Sequence, residues 1–300
     1  MKAFASLHPV VLLLYFIFTI GFSMALLDPF CIVISFICAI VSSVSLDGGH
    51  KAVFDMKYML PVMFLTAIIN PAVNHRGATI LTYLPSGNPL TLESILYGAA
   101  AGLMLASVIC HFSCFNSVMT SDKLIYLFGR LIPSLSLVFS MTLRLVPRFI
   151  SQTKKVSAAR RTIGRDMHSG SVIQRVKNGA SIISVMISWS LENAIEVADS
   201  MKSRGYGLKG RTAFSLYRFD KRDALLLALI LALGIYIIYG NFSGYIYWRW
   251  FPTVKGHDSG IAGISVYTAY AALMLLCPLV NIITQLKFKR AAGGGINECV

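Results

Sequence analysis

Hydrophobic and polar positions alternate along this chain in long blocks, not in the short alternation typical of strands. Apolar runs fill residues 10–27, 30–44, 58–73, 92–115, 224–239 and 264–286. About 17–25 apolar residues are needed to cross a bilayer as a helix, so the six runs are read as spans. The third is short and punctuated by Pro61 and Pro71, and the sixth is interrupted by Pro278. The first run passes into the second through Asp28-Pro29 without a convincing cleavage site, so it reads as a span and not as a leader. In the fourth, Gly98 and Gly102 stand one turn apart among alanines, a spacing that lets a second helix approach closely.

The pattern changes between the fourth and fifth runs. Residues 131–150, "LIPSLSLVFSMTLRLVPRFI", begin apolar, but Arg144, Pro147 and Arg148 oppose burial of the second half in lipid. The stretch continues into the polar "SQTKKVSAARR", which predicts a helix of about 30 residues from near Pro133. Its first half, 131–146, also fits a short extra span. Gly164 and Gly170 break the pattern. From Ser171 to Arg204 the apolar positions, Ile173, Val176, Ile183, Ile187 and Leu191 among them, recur as one helical stripe. At the usual rise that helix is about 50 Å long. Small residues form a second stripe, Ser181, Ser184 and Ser188, and Ser136 and Ser140 have similar spacing on the preceding helix. The expectation is two long amphipathic helices that cross at these small faces along the inner membrane surface.

Composition sharpens this picture. The 300 residues are 56% hydrophobic and only 13% charged, with mean hydropathy +0.68, against about 25% charged in soluble domains. The net charge is +14, and residues 123–222 hold 18 of the 27 Lys and Arg but 5 of the 13 acids. A basic block flanked by spans reads as a cytoplasmic segment under the positive-inside rule, not as a nucleic-acid site. Lys2, Lys51, Lys57, Lys287, Lys289 and Arg290 fall on the same side, which places both termini in the cytoplasm. The expected fold is an all-α polytopic membrane protein. It has about six transmembrane helices plus two or three long amphipathic cytosolic helices, in segments 1–118, 119–222 and 223–300. Of the outer loops, 74–91 and 241–263, the second is aromatic-rich and suits the membrane interface.

Chemistry is sparse. The six cysteines lack zinc-site spacing, and Asp47, His50, His168, His257 and Asp258 read as solvated loop groups. No G-x-x-x-x-G-K-[ST] phosphate loop is present. No catalytic residue, cofactor or metal site is therefore expected in this chain. Glu93, His111 and Asn70 are the polar groups on which a self-contained secondary transporter, the alternative reading, would have to rely.

What stands out is a pair of arginine ends, Ala159-Arg160-Arg161 on the first long helix and Ser203-Arg204-Gly205 on the second. A cation in the last turn complements the helix dipole, and a glycine just beyond it caps the helix. An arginine projecting past small neighbours can also fork onto a carboxylate of another subunit. Farther back, Arg144 and Arg148 share one helix face, and Glu192, Glu196 and Asp199 share another. These two sets are expected to pair between the helices, with lipid phosphates as the alternative partner of the arginines.

The stretches "HPVVLLL", "RLVPRF", "LENAIEVADSMKSRGYG" and "GRT" resemble the T component of energy-coupling factor transporters, and the likeness covers most of the chain. The resemblance implies two arginine motifs on two crossed coupling helices, docked into a pair of ATP-binding cassette ATPases. Those partners would bind ATP and magnesium, and a separate S component would bind the vitamin or micronutrient. The setting would be a prokaryotic cytoplasmic membrane. Ser203, Arg204 and Gly205 match the second motif. The first reads Ala159-Arg160-Arg161-Thr162 where the family has Ala-Arg-Gly, which leaves Arg160 and Arg161 as alternatives.

Overall fold

A computed structural model describes residues 4–83, 89–164, 171–208, 217–256 and 260–294. Lys209, Arg211, the "GRT" stretch, His168, His257 and Asp258 lie outside them. Among the described residues the chain forms a 3-10 turn (Phe4–Ser6) and nine α-helices. It divides into two compact units, one made of Met1–Leu124 with Tyr217–Val300, the other of Ile125–Leu216.

The first unit is a bundle of α1 (Pro9–Ala25), α2 (Pro29–Asp47), α3 (Gly49–Val73), α4 (Leu92–Val118), α8 (Lys221–Phe242) and α9 (Ile261–Gly294). The second holds most of α5 (Ser121–Leu131), with α6 (Pro133–Thr162) and α7 (Val172–Ser203). Five helices are long and apolar enough to cross a membrane, α2, α3, α4, α8 and α9, and α1 is a shorter apolar helix of 17 residues. The chain is a multi-pass membrane protein. Helix α6 is not among the five; it runs unbroken for 30 residues through Pro147 and both arginines. Helix α3 begins well before residue 58, and Pro61 and Pro71 lie inside it. Proline is tolerated inside spanning helices more readily than in soluble ones, because the protein around them can re-satisfy the freed backbone groups.

Helix α4 packs on α1, α2 and α3, while α9 packs on α2 and α8. A Cβ placed on Gly102 would come 2.8 Å from the Met63 carbonyl oxygen, and one on Gly98 3.1 Å from that of Ala67, so the two glycines let α3 and α4 touch backbone to backbone. The core between the helices carries a polar ladder. Ser23 and Ser35 hydroxyls meet at 2.7 Å, Ser35 donates to Ser107 at 3.3 Å, and the His111 ring nitrogen lies 3.5 Å from Ser35. At one end of the bundle Ser113 donates to Asp55 (2.6 Å), Ser117 donates to Asp47, and Lys51 pairs with Asp47 at 2.6 Å.

The opposite end is capped. Buried Asp28 accepts from the Phe30 amide at 2.8 Å, which starts α2, and from the Tyr267 hydroxyl at 2.7 Å. Two antiparallel hairpins close over it, β1 (Ile80–Tyr83) with β2 (Pro89–Thr91) and β3 (Trp248–Arg249) with β4 (Lys255–Gly256). The indole of Trp250 donates to the Leu27 carbonyl at 2.9 Å, and Tyr97 packs against both Trp250 and Phe251. The aromatic 241–263 segment is thus partly a folded lid on the bundle. Its rings supply the apolar area and Trp250 ties them to the α1–α2 turn.

Candidate functional site

The second unit holds the two arginine ends, and they are built differently. At the end of α7, Gly205 has φ +73° and Arg204 is the C-cap. The Tyr206 amide reaches back to the Met201 carbonyl at 3.0 Å, and the Gly205 amide to Lys202 at 2.9 Å. That pair of bonds is a Schellman motif, in which a left-handed glycine turns the chain away and satisfies the last carbonyls internally. Arg204 therefore stands at the point where the helix stops, and it is exposed. Ser203 is exposed too, its hydroxyl bonded back along the helix to the Asp199 carbonyl at 2.9 Å.

On α6 the left-handed glycine is Gly164, φ +77°, and the residue before it is Ile163. Ile163, not an arginine, is the counterpart of Arg204. Arg160 and Arg161 lie inside the last turn, where Thr162 bonds back to the Ala159 carbonyl at 2.7 Å. Ala159 and Arg161 are exposed and Arg160 is half-buried. The sequence treats the two ends as one pattern; the backbone separates them, because two extra residues intervene before the glycine.

Helices α6 and α7 meet where Phe149 packs edge-on against Trp189, ring centroids 5.4 Å apart. Beside them Arg148 donates to the Asn193 side-chain oxygen at 3.1 Å. This departs from the expected pairing. No ion pair joins Arg144 or Arg148 to Glu192, Glu196 or Asp199 among the described residues, and all five are exposed. Asn193 lies one position from Glu192, and the helix turns the amide, not the carboxylate, toward α6.

The serine faces are placed otherwise than expected too. The Ser136 hydroxyl donates to the Ile125 carbonyl at 3.1 Å, and a Cβ on Gly129 would meet that hydroxyl at 2.6 Å. Ser136 therefore locks the α5–α6 turn instead of facing α7. Ser140, Ser184 and Ser188 are exposed and Ser181 is half-buried. The buried line on α7 is Asn178, Ile182 and Met186, continued by half-buried Trp189 and Asn193. A line of three apolar residues with an amide at each end has a weaker hydrophobic signature than its neighbour, so sequence pattern favoured the richer stripe beside it. That richer stripe is uncovered in this chain: Ile173, Val176, Ile183, Ile187 and Leu191 are each more than half exposed. On α6 a shallow apolar groove of about 360 Å³ is lined by Thr142, Leu145, Val146, Phe149 and Ile150.

The polar groups inside the spans serve the fold. Glu93 accepts from the Thr79 hydroxyl at 2.9 Å and so ties the first hairpin to α4. His111 belongs to the serine ladder, and Asn70 lies where α3 meets Gly98. No group of three or more His, Cys, Asp or Glu is arranged to hold a metal ion among the described residues.

Comparison with known proteins supplies the family. Residues 5–214 match the CbiQ family, described as cobalt transport protein. The chain is 37% identical over 110 residues to the energy-coupling factor transporter transmembrane protein EcfT of Lactobacillus helveticus, covering 36% of this chain and 40% of the relative. With the EcfT of Streptococcus thermophilus it shares 33% over 106 residues, 35% of this chain and 40% of that one. With an uncharacterised protein of Mycoplasma genitalium it shares 26% over 193 residues, 59% of this chain and 46% of that one. The chain thus spans less than half the length of these relatives. Its family match, by contrast, takes in helices α1 to α7 and both arginine ends, and the chain belongs to the CbiQ family of membrane transport components, with EcfT proteins among its relatives.

Proposed function

We propose that this protein is the coupling scaffold of an ATP-driven uptake transporter of the energy-coupling factor type. In this reading Arg204 and Arg161 each insert into an acidic groove on one of two ATP-binding cassette ATPases, which bind ATP and magnesium and perform the hydrolysis. The uncovered apolar stripes of α6 and α7 receive a substrate-binding S component together with lipid. The scaffold passes ATPase closure to that component without catalysing a reaction itself. It sits in a prokaryotic cytoplasmic membrane with both termini on the ATPase side, and the cargo is a vitamin or micronutrient chosen by the S component.

One observation supports this reading above the others. Arg204 is held at the tip of a 32-residue helix by a Schellman turn, beside an apolar stripe that its own chain leaves bare. A rigid lever with a charged tip and an uncovered apolar flank suits force transfer between two partners. On the first helix, exposure favours Arg161 over half-buried Arg160 as the docking group.

The test is copurification of the ATPases with the chain, together with substrate uptake in vesicles. Charge-assisted hydrogen bonds contribute about 1.5–3 kcal/mol, so Arg204→Ala is expected to weaken ATPase retention about tenfold or more. Arg161→Ala should act in the same direction, more strongly than Arg160→Ala, and the Arg161/Arg204 double change should be worst. Full ATPase retention and uptake in that double variant would overturn the reading.

A further inference from the structure

The chain passes from the first unit to the second after Leu124 and returns at Tyr217. On the first unit, both passages are tied to the same short stretch near the N-terminus. Lys123, one residue before the outgoing passage, is only 6% exposed, and its ammonium donates to the Ala5 carbonyl at 2.6 Å and to the Val118 carbonyl at 2.9 Å. The second bond closes the end of α4; the first fastens the 3-10 turn to the start of α5. Three residues on from Ala5, buried His8 packs edge-on against Phe219 of the returning passage, ring centroids 5.2 Å apart. Its Nδ1 also accepts from the Val10 amide at 3.3 Å, which starts α1.

The stretch is itself firmly seated. The Phe4 amide donates to the Asn281 side-chain oxygen on α9 at 2.8 Å, and its ring packs against Tyr15 and Phe16. Leu7 is 1% exposed. The two passages are also neighbours of each other: burial, and then the negative charge of Asp122, push the Tyr217 hydroxyl above its ordinary pKa. Burial in turn lowers the pKa of Lys123. A buried lysine that meets two carbonyls is an expensive way to close a helix unless it also joins parts that would otherwise move separately.

We propose that Phe4–His8 is a clasp that holds the outgoing and returning passages at one common root, with Lys123 and Phe219 as its two positioning residues. A limb on two independent tethers can shear at each; a limb on one root moves as a piece. This inference rests on the division into two units and on contacts within the first, and it stands apart from the docking reading.

The signature of a shared clasp is cross-talk. Hydrogen exchange is read on the full chain in lipid nanodiscs, without ATPases. The probes are the Leu124 amide, bonded to Thr120, and the Ala224 amide, bonded to Asp220. Phe219→Ala alters a ring that is half exposed, and it is expected to speed exchange at Leu124, on the other passage, by about tenfold. Lys123→Met is expected to do the reverse, speeding exchange at Ala224. Amides in the middle of α7 should keep their rates. If each substitution loosens only its own passage, or neither does, the clasp does not exist. Should Lys123→Met fail to fold, Phe219→Ala alone decides.

Discussion

Tyr270 and Met274 on α9 are wholly buried, while Ile173 on α7 is 81% exposed and Leu191 64%. The first unit also exposes apolar side chains, most of all on α3, where only 11% of the spanning window is buried. Those lie on helices with the length and hydropathy of membrane spans, so the bilayer covers them. The stripe on α7 lies on a helix without that character and ends in an exposed arginine. One unit is finished by its own core and its lipid; the other presents apolar surface of the kind that marks interaction sites. The contrast teaches that burial within the chain accounts for the core of the first unit and leaves an apolar stripe exposed in the second.

Substitutions should divide along the same line. The largest effect is expected from Gly102→Leu, since even a Cβ there meets the Met63 carbonyl oxygen at 2.8 Å. Overpacking of this kind costs about 3 kcal/mol, and thermal unfolding in detergent should fall accordingly. An unchanged midpoint would mean that α3 and α4 are not packed through their glycines. Next comes Gly205→Ala. A left-handed conformation costs a non-glycine residue about 1 kcal/mol, so the end of α7 should fray, seen as faster exchange of the Gly205 and Tyr206 amides. Arg204 would lose its fixed direction while keeping its charge, so ATPase retention in this variant separates position from charge. The smallest effect on stability is expected from Leu191→Ser, within about 0.5 kcal/mol as for exposed positions generally. The same change should weaken retention of an S component. A large loss of stability would show that the stripe is covered by the chain itself, which would erase the contrast.

Much of this fold was legible in the sequence because its signals are local. Pro133 opens a 30-residue helix and Ser171 caps another, its side chain accepting from the Gln174 amide. Each of the six apolar runs corresponds to one helix, and Gly205 announces the end of α7. Features set by distant packing were not legible. The short helix α5 and the two hairpins have little periodicity of their own. Ser136 bonds to a neighbour 11 residues away, and a partner that close in sequence prevails over a distant helix of similar spacing. The difference between the arginine ends was written in the sequence as the two residues separating Arg161 from Gly164, yet its meaning depends on which glycine turns left-handed.

The serine ladder has a consequence for how the bundle is keyed. A helix immersed in hydrocarbon rotates about its long axis at little cost, because lipid tails and aliphatic side chains are equally good neighbours. Ser23, Ser35, Ser107 and His111 remove that indifference. Any rotation that separates them strands hydroxyls in oil, so α1, α2 and α4 share a single azimuth, like wards that admit only one key.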